Sequence, residues 1–161
     1  MNNGEAIVEA VRGWIGTPFR WEASVKGVGC DCRGLLAGAA RDAGLPEGDA
    51  IEAKLAGYAR RIDEAQLLAG LDRLFDRVAG DAAQAGDVLG IRLRGRVQHL
   101  AIHAGGDGSE ARMIHAYLGD PARVCEVPIG GFWGRRIAGV WRWRHPSRSE
   151  AVGEMACPHR S

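Results

Sequence analysis

The hydrophobic period of the chain changes once, and that change does most to limit the fold. Up to about residue 80 the apolar residues recur at helical spacing, and after "AQAGD" (83–87) the spacing falls to two. "VLGIRLR", "QHLAIHAG", "RMIHAYL", "RVCEVPI" and "IAGVWRWR" alternate and are separated by glycines, prolines and charged turns, which predicts about five strands. Helices first and strands afterwards is the pattern of an α+β domain, with the helices packed on one antiparallel sheet.

In the first half, Ile7, Val8, Val11, Trp14 and Ile15 form one apolar face of a helix over residues 5–15, which Gly16, Thr17 and Pro18 stop. A glycine-rich loop follows through Gly29. From Asp31 the period is helical again, with Cys32, Leu35, Leu36, Ala39 and Ala40 inward and Arg33, Arg41 and Asp42 outward, and Gly44 supplies the left-handed cap. A further helix is expected in residues 50–80, where Asp63 and Gln66 are spaced as a capping box ahead of Leu67, Leu68, Leu71, Leu74, Phe75 and Val78. Residues 1–145 are predicted to form one domain, and 146–161, poor in apolar groups, a flexible tail.

With 21 basic and 20 acidic residues the net charge is +1, which gives no electrostatic case for binding nucleic acid. Arg135, Arg136, Arg142, Arg144 and Arg148 form the one local bias, read either as a docking face for an anionic partner or as the solvated face of the last strand. Four cysteines do not make a disulfide framework, and no apolar run is long enough to span a membrane. Asn2, Asn3, Gly4 and Glu5 stand where a secretory leader would be basic and then apolar, so the expectation is synthesis in a bacterial cytoplasm with delivery by another carrier.

Cys32 falls in the first turn of its helix, where unpaired backbone amides and the helix dipole favour a thiolate, and Asp31 is placed to cap that turn. The Asp31 carboxylate opposes a neighbouring thiolate, so a histidine partner is needed as base and then acid. Alternation puts His99 with Ala101 and His103 on the less apolar face of its strand, and His115 on the next strand is close enough to orient the ring of His99. The competing readings are half-exposed strand histidines, or a zinc set of Cys30, Cys32, His99 and His103. The C-x-C spacing is tighter than zinc sites use, and histidines four apart on a strand do not converge. A Cys30–Cys32 disulfide would be strained. His145 and His159 look incidental.

"WIGTPFRWEASVKGVGCDCRGLL", "AQAGDVLGIRLRGRVQHLAIHAG" and "RMIHAYL" together resemble the NlpC/P60 family of papain-like cysteine peptidases. Members carry G-T-P-Y-R-W, G-x-D-C-S-G-L, G-D-L, H-V-G-I-Y and I-H-A segments in that order, and the resemblance covers residues 5–143. It implies a papain-like fold with the nucleophile at a helix N-terminus, and Cys32 as nucleophile, His99 as base and His115 as third member. It also implies a substrate site that includes Asp31, Phe19 and Arg33, and no metal or other cofactor. Cys30 falls on a position that is apolar in the family. The implied substrate is an amide of a peptidoglycan stem peptide, next to D-glutamate. "ASVKGVGCDCRGL" and "RRIAGVWRW" are similar to the variety found in phages and gene transfer agents, which implies tail or baseplate proteins as partners and action at the cell wall. A catalytically weak docking module is the alternative. Phe19 stands where the family has tyrosine and Arg33 where it has serine, and the connection from His99 to His115 is longer than in simple members.

Overall fold

The computed structural model of the chain describes residues 2–55 and 63–144. Helix α1 (Asn3–Arg12) begins at Asn2, whose side chain accepts from the Glu5 amide while the Glu5 carboxylate accepts from the Asn2 amide. The helix ends before Trp14, so Trp14 is buried but Ile15, expected to face inward, is 47% exposed on the turn that follows. Inside the glycine-rich loop lies a short hairpin the sequence reading did not resolve, β1 (Ser24–Val25) paired with β2 (Gly29–Cys30). It leads into α2 (Cys32–Asp42), capped by Asp31, and Gly44 (φ 73°) takes the left-handed conformation beyond its end.

Residues 50–80 hold more than one helix. α3 (Glu47–Leu55) and α4 (Glu64–Leu74) are separate, and Asp63 caps α4 by accepting from the amides of Ala65 and Gln66 at 3.0 and 3.3 Å. Phe75 and Val78, expected to continue that helix, instead belong to a strand, β3 (Phe75–Val78). The remaining strands are β4 (Val88–Leu93), β5 (Arg96–Gly105), β6 (Arg112–Tyr117) and β7 (Arg123–Pro128), then a one-turn helix α5 (Gly130–Gly134) and β8 (Ile137–Trp143). The sheet therefore has six antiparallel strands in the order β3-β8-β4-β5-β6-β7, one more than predicted. It is an α+β domain, as the change of period implied.

Helices α1, α2 and α4 pack on one face of the sheet, against Val88, Leu100, Ile102, Ile114 and Trp141. α2 lies deepest. A Cβ on Gly34 would stand 1.8 Å from the Ala23 carbonyl oxygen, and one on Gly38 2.1 Å from the Trp14 ring, so only glycine lets the helix approach both. The opposite face is not open to solvent either, because Leu89, Ile91, Ala101, Met113 and Val140 form a second cluster with Trp133 and Ile137 against it. The buried indoles each find an acceptor: Trp14 on Asp42, Trp141 on Asp72 and Trp143 on the Gly86 carbonyl, at 2.9, 2.8 and 2.7 Å.

The arginine-rich end is part-exposed, Arg135 and Arg144 facing solvent and Arg136 and Arg142 half-buried, and its guanidiniums also bind within the domain. Arg142 forks onto both oxygens of buried Asp87 at 2.9 and 2.7 Å, and Arg144 ties Asp76 and the end of α4 to the last strand. Arg136 donates to the Phe132 carbonyl and lies 3.8 Å over its ring. These guanidiniums clasp neighbouring elements from the surface. Arg148, His145, His159 and the expected tail over 146–161 lie outside the described residues.

Candidate active site

The pairing between β5 and β6 runs from Ile102 opposite Ile114 to Gly105 opposite Arg112. Beyond it, toward His99 and Tyr117, the two strands part while β6 stays paired with β7 as far as Tyr117. The first turn of α2 lies at this end of the two strands, and the backbone amide of Leu100 on β5 favours the thiolate form of Cys32.

A cavity of about 360 Å³ opens there. Cys32 and Arg33 line it from α2 and His99 and Gln98 from β5, with Phe19 and Trp21 from the preceding loop. Ala116 and Tyr117 close it from β6 with Leu118 just beyond, and Leu93 at the end of β4 with Arg94 from the β4–β5 turn. His115 stands behind His99, with His99 Nε2 and His115 Nδ1 2.9 Å apart. Both imidazoles are buried, and an aromatic group holds them. Tyr117 stacks on His115 with centroids 5.6 Å apart, and Trp133 meets the His115 ring edge-on at 5.0 Å and lies 6.0 Å from His99. The sequence reading missed Tyr117 and Trp133. Tyr117 is two residues from His115 on one strand and so on the same side of it, which is a usable signal. Trp133 sits in "GGFWG", where nothing local marks it.

Each of the six sequence-derived site residues has a definite place. Cys32, His99, Phe19 and Arg33 share the cavity, and His115 is one hydrogen bond behind it. Arg33 does not face outward as helical spacing implied; it is 5% exposed, on the cavity wall with its guanidinium 3.5 Å from the Asp31 carboxylate. Asp31 lies behind the nucleophile. Its two carboxylate oxygens accept from the amides of Gly34 and Glu22, each at 2.8 Å, and Arg33 approaches at 3.5 Å. Cys30 is fully buried, its thiol raised to about 12 by burial first and by the Asp31 charge second. It fills core. Cys30, Cys32 and Cys125 are free thiols, and His103, whose Nδ1 accepts from the Gly105 amide, lies away from the cavity. Among the described residues no three His, Cys, Asp or Glu side chains converge as a metal site would require.

The electrostatics differ from the helix-dipole expectation. Burial, and then the Asp31 carboxylate, push the Cys32 thiol up to about 11, outweighing the Arg33 guanidinium and the two amides, of Leu100 and Arg33, that favour the thiolate. Burial and the neighbouring His115 push His99 down to about 3, and burial pushes His115 down to about 4. The resting site is therefore a neutral thiol beside two neutral imidazoles.

No family model matches the chain, nor does any curated protein. Solved structures do. The NlpC/P60 domain of the peptidoglycan hydrolase SagA superposes with a TM-score of 0.59 at 22% identity, over 87% of this chain and 98% of that domain. A protein similar to lipoproteins of the NLP/P60 family from Staphylococcus aureus gives 0.58 at 18% identity, over 89% of this chain and 42% of that one. NlpC1 from Trichomonas vaginalis gives 0.61 at 18%, over 88% of this chain and 44% of that one. The helix-borne Cys32, the strand-borne histidine couple and the six-stranded antiparallel sheet thus sit in a chain that has the fold of NlpC/P60 domains.

Proposed function

We propose that the protein is a thiol hydrolase that cuts an amide in the peptide part of peptidoglycan, next to D-glutamate, through a thioester on Cys32. The observation that carries this reading is the buried His99–His115 couple at 2.9 Å beside the cavity that also holds Cys32. The likeness to the SagA domain, a peptidoglycan hydrolase, supports the choice of substrate.

The proposed role of His99 as base fixes the proton positions along this contact. For His99 to take a proton from Cys32 at Nδ1, its Nε2 must already carry one and donate it to His115 Nδ1, which places the His115 proton on Nε2. Sulfur then attacks the carbonyl carbon as its proton moves to His99 Nδ1, and the new imidazolium keeps the same bond to His115. His99 returns that proton to the departing amine, and water releases the acyl group. The amide of Cys32, in a first turn whose N–H groups have no intrahelical acceptor, is the natural donor to the oxyanion. Because the resting pair is neutral, attack and proton transfer occur together rather than from a stored thiolate.

Within the same reading the protein is a component of a phage-like particle, held by tail or baseplate proteins and opening the wall locally. A second reading, a docking module that retains the fold without the chemistry, is favoured by the raised Cys32 thiol. One experiment separates them. Purified protein incubated with muropeptides of defined sequence should release two fragments whose masses identify the bond, and Cys32→Ala should release none. Equal release by Cys32→Ala removes the nucleophile assignment, and no release by the wild type selects the docking module.

A further inference from the structure

The charged groups on the cavity wall are all of one sign. Arg33 from α2 and Arg94 from the β4–β5 turn both line it, and among the described residues no carboxylate does. Asp31, the nearest acid, is turned behind the nucleophile and divides its charge among the amides of Glu22 and Gly34 and the Arg33 guanidinium. Phe19 presents a ring without a hydroxyl. Such a wall holds an ammonium group poorly and an anion well.

Arg94 adds an independent argument. It and Gly95 form the two-residue turn between β4 and β5, with φ of 51° and 81°, the left-handed pair of a type I′ hairpin. The turn favours Asn-Gly; arginine in its first position is conformationally costly, and its branchless reach is of no use to the turn itself. The side chain lines the cavity instead.

We propose that Arg33 and Arg94 form an anion subsite beside Cys32, selecting an acyl donor that carries a free carboxylate next to the scissile carbonyl over its neutral, amidated counterpart. The inference deepens the hydrolase reading by naming the charge of the group that must enter with the substrate. Arg33, buried at the first turn of α2, sets the inner position, and Arg94, exposed at the hairpin tip, the outer one.

The test needs binding alone. The indole N–H of Trp21, on the cavity wall, is followed by NMR while the protein is titrated with N-acetyl-D-glutamate and, separately, with its neutral diamide. The carboxylate should give a saturable shift that the diamide does not, and added salt should weaken it. Arg94→Asn removes the charge while giving the turn its favoured residue, so folding is not at risk; it should weaken the carboxylate about fivefold, the worth of one solvent-facing ion pair. Arg33→Gln should weaken it further. Equal binding of the diamide, no shift with the carboxylate, or an unchanged affinity in both variants overturns the proposal. A protein that binds the carboxylate yet cuts no muropeptide keeps the subsite and loses the hydrolase; one that cuts acidic and amidated stems alike loses the subsite only.

Discussion

Two imidazoles held neutral inside the protein should make its stability fall in mild acid. In the unfolded chain both titrate near 6.5, whereas in the folded chain His99 is held down to about 3 and His115 to about 4. Between those limits the unfolded state binds protons that the folded state refuses, so stability rises with pH across this window and is lost as pH falls. At pH 5.5 each group is one pH unit below its unfolded value, which costs about 1.4 kcal/mol per histidine and about 3 kcal/mol for the two. His103, also lowered by burial, acts with the same sign. The mirror image applies in base: the Cys30 and Cys32 thiols, raised to about 12 and about 11, are refused ionisation that the unfolded chain obtains from about 9 upward. Stability should therefore form a plateau between about pH 6.5 and 9, with loss on both sides. Urea midpoints at pH 7.5 and 5.5 isolate the histidines, because ordinary carboxylates titrate lower, and a loss of 3 kcal/mol in a domain of this size lowers the melting temperature by about 10 °C. Replacing His99 and His115 together by glutamine should remove most of the acid limb. A midpoint that does not move between pH 7.5 and 5.5, or an acid limb that survives in the double variant, would refute the neutral buried couple.

Two further outcomes follow from the site. Alkylation of Cys32 by iodoacetamide should be at least a hundredfold slower at pH 7 than that of an ordinary exposed thiol, since about one molecule in ten thousand carries the thiolate, and it should climb with pH without an inflection below 7; a plateau beginning below pH 7, followed by mass spectrometry of the labelled peptide, would mean that a thiolate–imidazolium pair already exists. Trp133→Leu takes away the ring that packs on both histidines while leaving Cys32 and Arg33 in place; on a cleaved muropeptide it should lower kcat about tenfold or more with KM little changed, as misplacement of a base does, and a change in KM alone would show that Trp133 contacts substrate instead.

What was legible in the sequence was whatever local chemistry decides. Asp31 ahead of a small-residue helix, Gly44 after it and the strands from residue 88 onward are set by capping, handedness and alternation, and they stand where expected. Phe75–Val78 was not legible, because Leu74, Phe75 and Val78 continue the helical spacing of α4. The strand exists because its residues pair with Val140–Trp143, more than 60 positions away. His99 was placed on the less apolar face of β5, correctly for its neighbours, but no local pattern reveals that this face is covered as well. Arg33 failed for a related reason. Spacing assigns one inward side to a helix, and in the first turn of α2 both Cys32 and Arg33 are buried.

The burial of Arg33 beside Cys32 also explains why the arginine bears on chemistry as well as on recognition. Burial is the largest influence raising the Cys32 thiol, with Asp31 next. Against both stand one cation, the Arg33 guanidinium, and the backbone amides of Leu100 and Arg33. When the proton leaves for His99, charge appears on sulfur in surroundings of low dielectric, where a fixed guanidinium acts more strongly than it would in water. A serine at this position would offer a neutral hydroxyl, leaving Asp31 to oppose the thiolate without a cation on the same turn. Arg33 is thus tied to Cys32 through the transition state and to the substrate through its charge, so Arg33→Gln should depress kcat as well as carboxylate binding, whereas Arg94→Asn, at the outer position and without influence on the Cys32 thiol, should act on binding alone.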